Sequence, residues 1–325
     1  MKGPGDNSIQ DKATMLKITI LLSSCFILPV VFPSPFSLIT GFLAVPVFYI
    51  LRTIPEPEGK QIIRNGILLV GVAGLLSLKA LPDVIFSLTF IPLGYSLHVS
   101  AQKNEAPWIG VIKGALVLGT SWLIFWLGYA AGFDVNPYTE LKQILDNWLS
   151  ELYEIYKNND IPADVLLNRQ KEFVLLKELI PRILPGVLLS SVVMTAWINQ
   201  VTGNGILRKI KPERTPWPEY RQWVVPDKFV WVLITSGILL LIGIGFLKDL
   251  GLCMIFISWV IYFFQGLAVL LHYFNKWNTP KAIRIIIVLF TCIQTTAFFV
   301  LAMFGLADIW RDFRQLRQND TQSVK

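Results

Sequence analysis

The sequence predicts an all-α protein: a polytopic transmembrane bundle of about eight or nine spans, with one extramembrane amphipathic helical segment. Three observations carry that expectation. Hydrophobic residues make up 54% of the 325 positions and charged residues only 16%. Mean hydropathy is +0.55. Apolar runs approaching the roughly 20 helical residues that cross a hydrocarbon core recur along the whole chain. A single integral-membrane domain over residues 1–325 follows, with the lipid bilayer as its first partner.

The runs lie near 18–33, 36–51, 62–79, 82–101, 108–132, 181–206, 229–247, 250–275 and 281–307. Lys12 and Lys17 precede the first of them, as in a signal peptide. Pro33-Ser34-Pro35 then stands where a small-x-small cleavage site would be, so a retained helix is expected. Pro29, Pro33, Pro35 and Pro46 interrupt the first two runs, which predicts a broken hairpin there. The run 108–132 carries Gly110, Gly114, Ser121, Gly128 and Gly132. At 100° per residue these fall within about 40° of one another. Such a small-residue face lets a neighbouring helix backbone approach closely, and packing within the monomer is its expected use.

Residues 133–180 are the one sizeable stretch without a span. Leu141, Ile144, Leu145, Trp148, Leu149, Leu152, Ile155 and Tyr156 keep helical spacing between Tyr138 and Asn158, which predicts an amphipathic helix. Pro162 can open a second helix, with Val165, Leu166, Phe173, Leu176 and Ile180 continuing an apolar stripe. Acidic residues outnumber basic ones here, which argues against an anionic-membrane binder. The expectation is a helical hairpin over the bundle, with a lid over an externally open cavity as the alternative.

Twenty-nine Lys and Arg against 22 Asp and Glu give a net charge of +7. In a soluble domain that balance would suggest nucleic acid. In a membrane chain it is the enrichment of cytoplasmic loops, so no nucleic-acid partner is expected. The rule places the N-terminus inside, together with Arg52, Lys60, Arg64 and the basic loop 207–228. Counting nine spans then puts the C-terminal tail, with Arg311, Arg314 and Arg317, outside. That placement conflicts with the same rule.

Catalytic chemistry finds no foothold. HExxH, GxSxG, Walker A, GxGxxG and paired-histidine patterns are absent, and His98 and His272 lie on different runs. Cys25, Cys253 and Cys292 stand singly in apolar surroundings. The expectation is a non-enzyme without metal or cofactor.

The polar residues inside apolar runs are few enough to name. Gln265 and His272 are seven apart, hence on one helix face, and Gln265 is expected to hydrogen-bond Gln294 or Thr291 on the last run. Asp308, Arg311 and Asp312 stand at i, i+3 and i+4, a spacing that sets both carboxylates beside one guanidinium. The candidate ligand-binding residues are therefore Asn199, Gln265, His272, Gln294, Asp308, Arg311 and Asp312. The alternative for the last three is a solvated helix end.

With VVPDKFVWVL (Val224 to Leu233), QGLAVLLH (Gln265 to His272) and GLADIWRDFR (Gly305 to Arg314) in place, the chain resembles the YybS family. These are bacterial integral-membrane proteins of unassigned function. The specific match covers roughly residues 181–314. That family is distantly similar to the substrate-binding membrane subunits of energy-coupling-factor vitamin transporters. The resemblance implies an all-helical bundle with a ligand cavity open to the outside, and the first expectation is a protein of the bacterial cytoplasmic membrane that binds a small molecule or lipid as a transporter component. Those subunits carry an Ala-x-x-x-Ala surface on their first helix, where this chain has Ser23, Ser24 and Cys25. The second expectation is a scaffold or regulatory protein that recruits a cytoplasmic partner through loop 207–228.

Overall fold

Long apolar sequences leave the backbone no partner but itself, and the chain answers with helices throughout. The computed structural model describes residues 4–157 and 163–316, without the side chains of 4–11, 35, 37 and 163–169. Expectations on Asn158, Pro162 and Arg317, and on the side chains of Val165 and Leu166, lie outside the described residues. No strand occurs among those described. The helices are α1 (Pro4–Val31), α2 (Pro33–Thr40), α3 (Ala44–Thr53), α4 (Glu58–Leu76), α5 (Leu81–Leu88), α6 (Phe90–Gln102) and α7 (Pro107–Phe133). They continue as α8 (Pro137–Lys157), α9 (Ala163–Ile210), α10 (Val230–Ile242), α11 (Gly245–Lys276), α12 (Lys281–Ile293) and α13 (Thr295–Arg311).

Among the described residues, six helices are long and apolar enough to cross a membrane, with α5 and α6 counted together over Leu78–Gln102, or seven when the bent pair α12–α13 counts as one span. The nine hydropathy runs resolve into these for physical reasons. Residues 36–51 fall on two short helices of 8 and 10 residues. At 1.5 Å per residue, α3 is roughly 15 Å long, half a hydrocarbon core. It is buried on nearly every side instead, through Ala44, Val45, Val47, Phe48, Ile50 and Leu51. The run 229–247 is cut after 13 residues of α10 by Gly243, which takes the left-handed backbone (φ 69°) that glycine adopts without penalty. The run 281–307 bends by 103° between α12 and α13, around Gln294.

The chain forms two compact units. The first comprises residues 1–125, 192–225 and 261–325. Its core sets α1 on α4, where the Ser23 hydroxyl reaches the Gly66 carbonyl at 3.4 Å, and α3 on α6, where Gly94 lies against Val47. Gly114 of α7 lies against Leu93, and Gly110 against the Gln200 side chain. The small-residue face of α7 is thus used at one end. Gly128 and Gly132 have nothing within 4 Å of where a Cβ would stand, and Ser121 bonds only its own helix through the Val117 carbonyl.

The second unit comprises residues 126–191 and 226–260. The amphipathic α8 is present, and Leu149 is its buried residue. The second amphipathic stretch runs without interruption into the following span, making α9 a 48-residue helix that passes through Pro181 and Pro185. Tyr153 meets Phe173 edge-on at 5.5 Å, and the Lys177 ammonium donates to the Ser150 hydroxyl at 3.1 Å. Gly186 brings α9 close against Cys253 of α11.

Candidate functional site

The loop after α9 decides the arrangement of the first unit's basic end. It contains five residues with tryptophan, tyrosine or arginine side chains, and side chains donate to its carbonyls at Arg214, Trp217, Pro218, Arg221 and Trp223. Asn204 accepts from the Trp217 N–H at 3.3 Å and donates to the Trp217 and Pro218 carbonyls. Arg208 adds a bond to the Trp217 carbonyl at 2.6 Å. The Trp217 indole N–H donates to the Glu105 carbonyl at 2.9 Å, and its ring stacks on Phe48 at 5.7 Å. Trp223 donates to the Pro218 carbonyl, and the Tyr220 hydroxyl to the Phe264 carbonyl at 2.7 Å. Burial pushes the Tyr220 phenol well above its ordinary pKa, so it stays a donor. Trp217 and Trp223 are each only 3% exposed.

At the loop's far end lies a buried ion pair. Arg314 and Asp308 approach to 2.7 Å with side chains 1% and 3% exposed. Asp308 Oδ2 also accepts from Gln265 Nε2 at 2.7 Å, while Oδ1 accepts from the Phe313 N–H at 3.0 Å. Gln265 Oε1 in turn accepts from the Val225 N–H at 3.1 Å. The second guanidinium nitrogen of Arg314 donates to the Arg221 and Trp223 carbonyls, both at 2.8 Å. Charge and hydrogen-bond demand are nearly balanced inside the cluster, the condition under which a buried pair is tolerable. It can lock three segments together and has little valence left for a ligand.

The helix spacing of Asp308, Arg311 and Asp312 therefore does not describe this site. Helix α13 ends at Arg311, and Asp312 takes a left-handed backbone (φ 40°, ψ 60°). That reversal folds Arg314 back onto Asp308. Arg311 is exposed, and Asp312 accepts the Leu316 N–H at 3.2 Å. The Arg–Asp pairing expected from sequence exists with Arg314 as the cation, six residues along, a separation no helical periodicity reveals.

The other sequence-named residues are dispersed. Gln265 joins Asp308 and Val225, not Gln294 or Thr291. Gln294 is exposed at the α12–α13 bend, and the Thr291 hydroxyl bonds the Val288 carbonyl within its own helix. Asn199 is fully buried and donates to the Gly41 carbonyl at 2.6 Å and to Thr195. His272 is half-buried on α11, within reach of the charges of Arg314, Arg221, Lys276 and Asp308.

Arginines also hold both ends of the bent pair. Arg284, at the start of α12, donates to the Phe274 and Thr279 carbonyls, while Arg314 past the end of α13 grips Arg221 and Trp223. The pair is bent by 103°, so residues 281–307 are not one straight crossing.

Helix α13 crosses α11 at two glycines. A Cβ on Gly266 would overlap the Leu301 carbonyl, and one on Gly305 the Tyr262 carbonyl. The backbones touch there, which seats Asp308 over Gln265.

A second site was not legible in the sequence. A groove of about 300 Å³ is lined by Leu51, Lys60, Ile63, Arg64, Ile67, Leu68 and Tyr95. Its walls are α3, α4 and α6, and its mouth carries two cations. Next to it His98, only 3% exposed, has neither ring nitrogen hydrogen-bonded among the described residues, and its ring lies 6.4 Å from Tyr95. No group of three or more metal-ligating side chains occurs among the described residues.

An all-helical unit with several bilayer-length helices, a buried ionic lock and a basic end defines a polytopic membrane protein. The chain belongs to the family of predicted membrane proteins designated DUF2232, whose family model matches residues 20–309. No curated protein and no solved structure matches the chain.

Proposed function

We propose that the protein is a ligand-binding component of a bacterial cytoplasmic membrane, taking a small molecule or lipid and performing no catalysis of its own. The observation that carries this reading is the 300 Å³ groove, a size at the lower bound of ligand sites, with apolar walls and a pair of cations at one end. The ligand site moves accordingly from Gln265, Asp308 and their neighbours, whose bonds are spent on each other, to Lys60, Arg64 and Tyr95. The likeness to the YybS family, and through it to vitamin-transporter subunits, supports a place in transport. The basic end would face the cytoplasm, and the N-terminus with it. Purification followed by organic extraction and mass spectrometry tests the reading. A molecule retained by the wild type and lost when Ile67→Trp fills the groove supports it, and an equal yield from both overturns it.

One observation favours the scaffold reading as a second choice. Lys209 and Lys211 stand on the rim of the locked loop, and Lys209 is exposed. Arg208 and Arg214 are less available, since each donates to a backbone carbonyl, at Trp217 and Arg52. Capture of a soluble protein that is abolished by Lys209→Glu with Lys211→Glu would favour this role.

A further inference from the structure

The groove's composition identifies its ligand more narrowly, resting on the ligand-binding reading above. Lys60, Ile63, Arg64, Ile67 and Leu68 stand at i, i+3, i+4, i+7 and i+8, one continuous face of α4. Along that face the chemistry changes in order. Lys60 lies within the first turn, Arg64 about 6 Å further along the axis, and Leu68 about 12 Å from Lys60 at 1.5 Å per residue. Beyond Arg64 the face is purely aliphatic, and Ile67 and Leu68 are 37% and 62% exposed. Leu51 of α3 and Tyr95 of α6 close the sides. Tyr95 is 46% exposed.

A face that is cationic at the water side and aliphatic toward the bilayer matches one molecule part for part. We propose that the groove is a site for an anionic phospholipid, its phosphate held by Lys60 and Arg64 and one acyl chain laid along Ile63, Ile67 and Leu68. The charge balance supports this choice. Glu56 pairs with Lys60 at 2.8 Å, but both side chains are about half exposed, and such a pair exchanges readily. Arg64 is exposed and has no ion-pair partner among the described residues. Its long stem lets the guanidinium rise to the headgroup level from within the apolar layer. The mouth thus carries a net positive charge, which a headgroup bearing its own ammonium would oppose. A soluble anion would gain nothing from the aliphatic half, so the lipid is the occupant that uses the whole surface.

The test uses the purified full-length protein, delipidated and then titrated with phosphatidylglycerol or phosphatidylcholine, with bound lipid counted by native mass spectrometry. The wild type is expected to hold phosphatidylglycerol more tightly. Each basic residue near an anionic lipid is worth about fivefold in affinity, so Lys60→Gln with Arg64→Gln should weaken phosphatidylglycerol by about 25-fold. Lys103→Gln with Lys209→Gln removes two exposed cations outside the groove and should leave binding unchanged, which also controls for net charge and folding. Equal affinity for the two lipids, equal loss in both double variants, or displacement of the lipid by inorganic phosphate alone would overturn the proposal. If phosphatidylcholine or another molecule occupies the groove and Ile67→Trp expels it, the phospholipid assignment fails while the ligand-binding reading stands. A groove that holds nothing defeats both.

Discussion

The guanidinium of Arg314 reaches the Asp308 carboxylate at 2.7 Å across a reversal of the chain, with both side chains almost fully buried. Because Arg314 also holds the Arg221 and Trp223 carbonyls, this one pair fastens the end of α13 to the loop that follows α9. Gln265 completes the fastening from α11.

Breaking the pair from one side leaves an uncompensated buried charge, which costs about 3–5 kcal/mol. Arg314→Ala is therefore expected to lower the thermal midpoint of the purified protein strongly. Arg311→Ala, an exposed position three residues earlier, should stay within about 0.5 kcal/mol. Thermal unfolding in a fixed detergent compares the two, and similar midpoints would show that Arg314 is not the buried partner.

The α11–α13 crossing makes a sharper steric prediction. Gly266→Ala and Gly305→Ala each place a methyl group where a backbone carbonyl already stands, so neither can be absorbed by a rotamer change. Each should reduce the yield of folded protein and its midpoint. Gly128→Ala and Gly132→Ala meet open space and gain helix propensity, a change expected to be neutral or stabilising by up to about 1 kcal/mol. Size-exclusion profiles and midpoints of the four variants check this directly.

Trp217 anchors the loop from its other end. Removing a buried tryptophan costs about 3–5 kcal/mol, and here it also strips the Glu105 carbonyl of its donor. Trp217→Ala should expose the loop to proteolysis between Pro212 and Val225. Trp277→Ala, at a tryptophan that is 67% exposed, should leave the loop as resistant as the wild type. Limited proteolysis of the two variants in parallel distinguishes them.

Glu105 gives the same anchor a pH dependence. A hydrogen bond from the Lys113 ammonium holds its carboxyl below the usual carboxylate range. A depressed folded-state value means that the contribution is fully present above the unfolded value and is lost as pH falls through the folded one. Acidification below the ordinary carboxylate range should therefore loosen the α6–α7 connection, and Glu105→Gln should flatten that limb of the stability profile. An unchanged acid limb in the variant would remove Glu105 from the account.

The parts legible in the sequence were those written in composition and period. Six apolar runs became bilayer-length helices, and the spacing from Leu141 to Tyr156 became α8. What the sequence concealed depends on single backbone angles or on residues brought together by packing. Nothing in the unbroken run 281–307 marks the bend at Gln294, so it read as one straight helix. The Asp308–Arg314 pair needs Asp312 in a left-handed conformation, and a helical projection instead promotes Arg311. Trp217 and Trp223 are buried by partners from distant segments, Phe48 and Trp197 among them, which sequence spacing does not bring together. Lys60 and Arg64 registered only as orientation markers, since the groove is assembled from three separate helices.

The bonds from Arg314 to the Arg221 and Trp223 carbonyls require the loop after α9 and the end of α13 to share one side of the membrane, and thiol labelling measures that most directly. With Cys25, Cys253 and Cys292 replaced by serine, Lys209→Cys and Arg311→Cys place one exposed thiol at each position. In sealed vesicles of known orientation, a membrane-impermeant maleimide should label both from the same side. Labelling from opposite sides would contradict the bonds from Arg314 to the Arg221 and Trp223 carbonyls, which hold the end of α13 to that loop.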